Sequence, residues 1–229
     1  VVHIPPQQPE DDGRCFAPGT RILMADNSYK SVEDIVVGDE VVVYDHYKGV
    51  IGRDKVISNV HAEAARIYRN EVISLLFKNG KILKIVKQHG LFDVTENRYV
   101  SIFPESVETY VGHKFLVIEN DKPETSELTG YSCAVDETLC YAPVSRFHLN
   151  VVAEGFLSMP STVLSLNLFN VTDNFKYDTS VLDRIGLTPY EKIKDIVTPE
   201  EYHNLPCMYL DAILAVNPSA SLDDFIDAL

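Results

Sequence analysis

Residues 71–94 read EVISLLFKNGKILKIVKQHGLFDV, and this stretch constrains the fold most. Two runs rich in Val, Ile, Leu and Phe flank Asn79-Gly80. Asn-Gly between such runs is the strongest short-range hairpin signal, because both residues accept the positive φ of a tight turn. The pattern recurs along the chain. TRILMADNSYKSVEDI sets Asp26-Asn27-Ser28 as a turn between two short runs. Gly38-Asp39 precedes VVVYD, and Glu96-Asn97-Arg98 leads into RYVSIF. HKFLVIEND reads as a strand, DKPETSELTG as a polar loop, and RFHLNVVAEGF as a strand with Asn150 inside it. Many short strands with frequent turns predict a mainly β fold, compact and strongly bent.

The pattern changes after residue 178. Thr179-Ser180, Thr188-Pro189, Thr198-Pro199-Glu200-Glu201 and Ser221 each stand where a helix would start. Pro at a first helical position and acids in a first turn are start signals. The expected organisation is a linker over 1–14, a β domain over 15–165, and a short helical C-terminal appendage over 166–229 that packs on the β body.

Composition narrows the function classes. The 229 residues are 45% hydrophobic, enough to bury a core. A net charge of −14 repels a nucleic-acid backbone, so no nucleic-acid partner is expected. No apolar run is long enough for a membrane-spanning helix. The opening VVHIPPQQPEDDGR lacks the charged-then-apolar order of a signal peptide. The four cysteines, Cys15, Cys133, Cys140 and Cys207, form no CxxC pair, so no zinc site is indicated. Cys133 and Cys140 could close a small disulfide loop or be buried thiols. Cysteine usage leaves the compartment open.

Cys15 needs its own explanation. It follows the polar stretch DDGR and opens CFAPGT, with a turn-forming Ala-Pro-Gly and then Thr20. The run CFAPGTRILMADNSYKSVEDIVVGDEVVVYD, together with His89 in Val86-Lys87-Gln88-His89-GLFDV, resembles the Hint family. That fold is shared by inteins, the autoprocessing domain of Hedgehog proteins and bacterial intein-like domains. The resemblance spans roughly residues 15 to 160 and implies a horseshoe-like β fold.

It also implies a self-processing reaction. The Cys15 thiolate attacks the carbonyl of Arg14, and the peptide bond becomes a thioester by an N-to-S acyl shift. His89 supplies the proton to the leaving amine, help worth roughly 10²–10⁴-fold. Imidazole is the side chain suited to that near neutral pH. N-terminal cleavage or acyl transfer to a thiol, water or an amine would follow. The substrate is the chain's own polypeptide, and no metal or organic cofactor is implied.

The sequence departs from the family pattern in two places. Val86 stands where the family has a threonine that helps orient the scissile peptide. A terminal His-Asn before a nucleophile, which splicing needs, is absent from FHLNVVAEGFLSMPST. Tyr202-His203-Asn204-Leu205 carries His-Asn, but in the helical tail. Full splicing is therefore not expected, and no apolar extension offers a sterol seat.

Other residues carry weaker arguments. His148 is a candidate second catalytic histidine. Thr20 is expected to support the opening strand beside the site. Asp93 either orients an imidazole or caps a strand end. Asp39 reads as a turn residue, and His61 and Glu63 lie where an acceptor-activating acid could stand. Two rival readings remain open. One is an inactive Hint-like structural or binding module of a larger secreted or surface protein. The other is a cysteine hydrolase acting in trans through Cys15 and His89.

Overall fold

The computed structural model describes residues 15–46, 48–60, 68–87, 89–148, 150–159 and 190–202. Arg14, His61, Glu63, Cys207, the linker before Cys15 and the helix starts at 179–180, 188–189 and 221 lie outside them. The strands are β1 (Arg21–Leu23), β2 (Tyr29–Ser31), β3 (Glu40–Asp45), β4 (Val50–Val60), β5 (Tyr68–Phe77) and β6 (Ile82–Val86). They continue with β7 (His89–Asp93), β8 (Arg98–Ile102), β9 (Lys114–Glu119), β10 (Lys122–Thr138), β11 (Ala142–Ser145), β12 (Val151–Ala153) and β13 (Phe156–Met159). The fold is mainly β, as the alternating runs predict.

The turns sit where the local chemistry puts them. Asn79-Gly80 joins β5 to β6, with Gly80 at φ +82° and the Gly80 amide donating to the Phe77 carbonyl. Asn27 and Asn97 take φ 66° and 55° in the turns before β2 and β8. Asparagine tolerates this left-handed region better than other side chains do.

Two expectations change. DKPETSELTG is not a loop but the first part of β10. Asn120 and Asp121, at φ 50° and 57°, make the tight turn from β9, so the chain returns in register with Lys122 opposite Glu119. RFHLNVVAEGF is not one strand either. Residues 146–148 form a turn, Asn150 lies just before β12, and Glu154-Gly155 (φ 50° and 90°) turns β12 into β13. In both places turn chemistry at two residues overrode the strand or loop character of the surrounding run.

Among the described residues, a ten-stranded sheet runs in the order β2-β1-β12-β13-β7-β9-β10-β5-β6, with β8 on β7. A three-stranded sheet runs β11-β4-β3. Neither ends cleanly. Met24 bridges to Val41, tying the end of β1 to β3, and Phe16 bridges both Ile85 of β6 and Tyr141 before β11. The large core between them includes Phe16, Ile22, Val43, Ile73, Leu83, Leu91 and Phe156, all fully buried. Phe77 stacks on Phe156 with ring centroids 3.8 Å apart and meets Phe115 edge-on at 5.8 Å. Each such ring contributes about 1.5–3 kcal/mol on burial.

Residues 190–202 contain one turn of helix, α1 (Tyr190–Ile193), and a second helical stretch from 199. Thr198 and Glu201 cap that stretch reciprocally: the Thr198 amide donates to Glu201 Oε2 (2.8 Å) and the Glu201 amide to Thr198 Oγ1 (3.2 Å). This is the capping box that Thr-Pro-Glu-Glu predicts. Ile193, Val197 and Tyr202 are buried, and Arg146 Nη1 donates to the Ile196 carbonyl at 3.0 Å, so this stretch contacts the β body. No helix among the described residues is long and apolar enough to cross a membrane.

Candidate active site at the seam between the sheets

Cys15 and Phe16 lie in the seam. The Phe16 amide donates to the Tyr141 carbonyl (2.8 Å) and the Tyr141 amide to the Phe16 carbonyl (3.0 Å). On the other side, the Val86 amide donates to the Cys15 carbonyl at 2.8 Å. The segment thus acts as a short strand between β6 and the start of β11. This register sets Cys15 opposite Val86 on one side and Ala142 on the other. Cys140 sits diagonally across from it on the same face, since side chains two apart share a face.

The side chains follow that register. Cys15, Val86, Cys140 and Ala142 form one small buried cluster, with Cys15 and Val86 both 0% exposed. Cys140 is the neighbour of Cys15 that sequence reasoning missed. Cys133 and Cys140 are not joined: Cys133 is exposed on β10, whereas Cys140 is buried against Cys15. They sit on either side of the end of β10, so the spacing that suggested a loop reflects two separate environments.

His89 opens β7, three residues beyond Val86. Its ring packs on the Phe16 ring, centroids 4.1 Å apart, which ties it to the Cys15–Phe16 segment. Nδ1 lies 3.1 Å from the Gly90 carbonyl, which can only accept, so Nδ1 carries the proton. Nε2 is then a lone-pair acceptor. It is buried and has no hydrogen-bond partner among the described residues. Burial holds the imidazole neutral, with its pKa down at about 4, against a smaller opposing effect of the Gly90 bond. Gly90 is closely packed, because a Cβ there would meet Met159 Cβ at 3.2 Å and its carbonyl at 3.3 Å, so Met159 would have to shift by a few tenths of an ångström.

Thr20 is buried just before β1. Its hydroxyl donates to the Ala17 carbonyl at 2.7 Å, closing the Ala-Pro-Gly turn. Asp93 caps a turn and orients an imidazole, but the imidazole is that of His113. Asp93 Oδ1 accepts the Thr95 and Glu96 amides (2.7 and 3.2 Å), and Oδ2 pairs with His113 Nδ1 at 2.6 Å. Asp93, Glu96 and His113 bring three metal-type donors together, but Glu96 is also paired with Arg98. Asp39 closes its turn by accepting the Val36 amide at 2.8 Å and pairs with Lys30.

His148 stands elsewhere. Its Nδ1 pairs with buried Asp54 Oδ2 at 2.8 Å, and its Nε2 lies 3.9 Å from Asp45 Oδ2. Asp54 also accepts from the Lys55 and Phe147 amides (2.8 and 2.6 Å) and from Arg146 Nε (3.2 Å). Cys15 is opposite Ala142, the first residue of β11, whereas His148 stands in the turn beyond the strand's far end at Ser145. The structure therefore sets Val86 beside Cys15, ties His89 to the neighbouring Phe16, and does not place His148 with them.

At the level of sequence, no family model and no curated protein matches the chain. Solved structures do. A DnaB intein from Synechocystis sp. PCC 6803 aligns with TM-score 0.54 and 12% identity, over 64% of this chain and 98% of its own. This is the Hint fold. The PabCDC21-1 intein matches at TM-score 0.53 and 12% identity, over 65% of this chain and 99% of its own. A bacterial intein-like domain from Clostridium thermocellum matches at TM-score 0.51 and 15% identity, over 64% and 98%. Such low identities carry the fold and not the chemistry.

Proposed function

We propose that the chain is a self-processing Hint domain that performs an N-to-S acyl shift at Arg14–Cys15, followed by N-terminal cleavage or acyl transfer. The observation that carries this reading is the seam. The Cys15 backbone is clamped by the Val86 amide, and the adjacent Phe16 ring packs on a histidine whose buried Nε2 has no partner among the described residues.

A proton path follows from the tautomer. Neutral His89 accepts the Cys15 thiol proton at Nε2. The thiolate attacks the Arg14 carbonyl carbon, forming the C–S bond. The imidazolium then returns its proton to the Cys15 nitrogen as the C–N bond breaks. The product is an Arg14 thioester on Cys15 with a free α-amine. A thiol, water or an amine attacks the thioester carbon and releases the Cys15 thiol. A base of low pKa becomes a strong acid once protonated, which suits it to the second half of the step.

A second reading, an inactive Hint-shaped module, is favoured by one observation. Val86 and Ala142, the two residues opposite Cys15, have apolar side chains, so neither offers a donor to a developing oxyanion. The two readings separate cleanly. A fusion carrying a reporter before residue 1 is followed by intact mass spectrometry with and without dithiothreitol, beside Cys15→Ala. The self-processing reading expects release at Arg14–Cys15, faster with thiol, and none from the alanine form. Both chains intact after days at pH 6 to 9 would establish the inactive module instead.

A further inference from the structure

We propose that the outer edge of β10 is a homodimer interface, in which residues 130–136 pair antiparallel with the same residues of a second copy. This inference stands apart from the self-processing reading. β10 pairs with β9 over Lys122–Glu127 and with β5 over Leu128–Thr138. Leu128 still bonds the His113 carbonyl and the Gly112 amide on that side, and from Thr129 onward this other edge has no strand partner among the described residues. Residues 129–137 are exposed except for half-buried Gly130. Tyr131 and Val135, at 38% and 54% exposure, are among the large apolar side chains left in solvent.

Open edges invite pairing, and proteins usually guard them with Lys, Pro or inward charges. The first half of β10 is guarded in this way by Lys122, Pro123 and Glu124. The second half carries charge only at its end: Leu128–Val135 contains no charge and no proline, and Asp136 and Glu137 follow. The contrast within one strand marks the second half as an edge meant to pair.

The sequence of that edge fits a copy of itself. A two-fold axis through Cys133 sets Tyr131 opposite the second copy's Val135, twice over. Aromatic against β-branched is a favourable cross-strand pair. Asp136 then meets Gly130, and Glu137 meets Thr129, so no like charges face each other. Moving the axis to Ser132 would set Glu137 against Glu127, which is unfavourable. The chain's net charge of −14 opposes association at long range, so salt should tighten this dimer, unlike one held by ion pairs.

Sedimentation velocity of the 229-residue chain from about 1 to about 200 µM tests this, since dimer stability follows mass action. The expected result is a monomer–dimer equilibrium that tightens with added salt. Tyr131→Lys with Val135→Lys should raise the dissociation constant about 100-fold. Ile82→Lys, an exposed apolar residue on β6, should shift it less than about 2-fold. A short bis-maleimide should link Cys133 to Cys133 on the peptide map. That reaction is best run mildly alkaline, because burial and Glu71 push the Cys133 thiol up. A chain monomeric throughout, a dimer indifferent to the double lysine variant, or a link mapped to another cysteine would each overturn the proposal. If the lysine variant does not fold, the cross-link map of the parent chain decides alone.

Discussion

His148 and His89 both sit beside buried groups, and they differ in one respect. Around Asp54, every strong group is answered. The carboxylate accepts four donors, His148 supplies one of them, and Asn150 knots the same region by donating to the Tyr44 and His148 carbonyls at 2.9 Å each. At the seam, His89 has one nitrogen answered by a carbonyl and the other by nothing among the described residues. A fully satisfied polar knot is the mark of structure. An unanswered buried nitrogen costs stability and is kept where chemistry needs a vacant acceptor. The comparison assigns the knot to folding and leaves the seam as the place of the proposed reaction.

The largest expected effect breaks the comparison on the seam side. His89→Gln should slow reporter release by about 10²–10⁴-fold. His148→Gln should change the rate less than about 3-fold, since it stands at the far end of β11. Equal losses in both would erase the distinction. Next comes the knot. Asp54→Ala strands Arg146, His148 and two amides, and should cost about 3–5 kcal/mol in urea unfolding. A loss below about 1 kcal/mol would mean the knot is ornamental.

A pH series sharpens the contrast further. Folded His89 titrates at about 4, well below the ordinary value of 6.5, because burial disfavours its charged form. The unfolded chain binds this proton first as pH falls. Stability should therefore be full above about pH 6.5 and decline toward pH 4, by up to about 3 kcal/mol from this group. His46, half-buried with its pKa also lowered to about 4, adds a loss of the same sign. His89→Gln should flatten the slope measured by urea midpoints between those pH values. An unchanged slope would assign the loss to other groups. The smallest effect concerns Val86. Val86→Thr restores a hydroxyl beside Cys15 at nearly constant volume and should raise the release rate about 10-fold, read in the same mass assay.

Much of the fold was legible because its signals are local. Asn79-Gly80, Asn27 and Asn97 each specify a turn through their own φ preference, and Thr198-Pro199-Glu200-Glu201 specifies its helix cap. Legibility failed where a neighbour decided. DKPETSELTG looks polar enough for a loop, but the Asn120-Asp121 turn lays it on β9, and Pro123 is tolerated there on the side away from the pairing. The long β4 strand escaped notice because its apolar residues are interrupted by Gly52, Arg53 and Asp54, whose partners lie in β3 and beyond β11.

For the site, the sequence by itself determined which residues have the right chemistry. A cysteine before a turn and a histidine after a hairpin strand are readable one by one. Only the tertiary structure decided their company. It placed Cys140 beside Cys15, gave Asp93 to His113, and gave His148 to Asp54. The physical reason is that hydrogen-bond partners and burial are set by strand register between segments far apart in the chain. A single residue's type cannot encode which strand will lie opposite it.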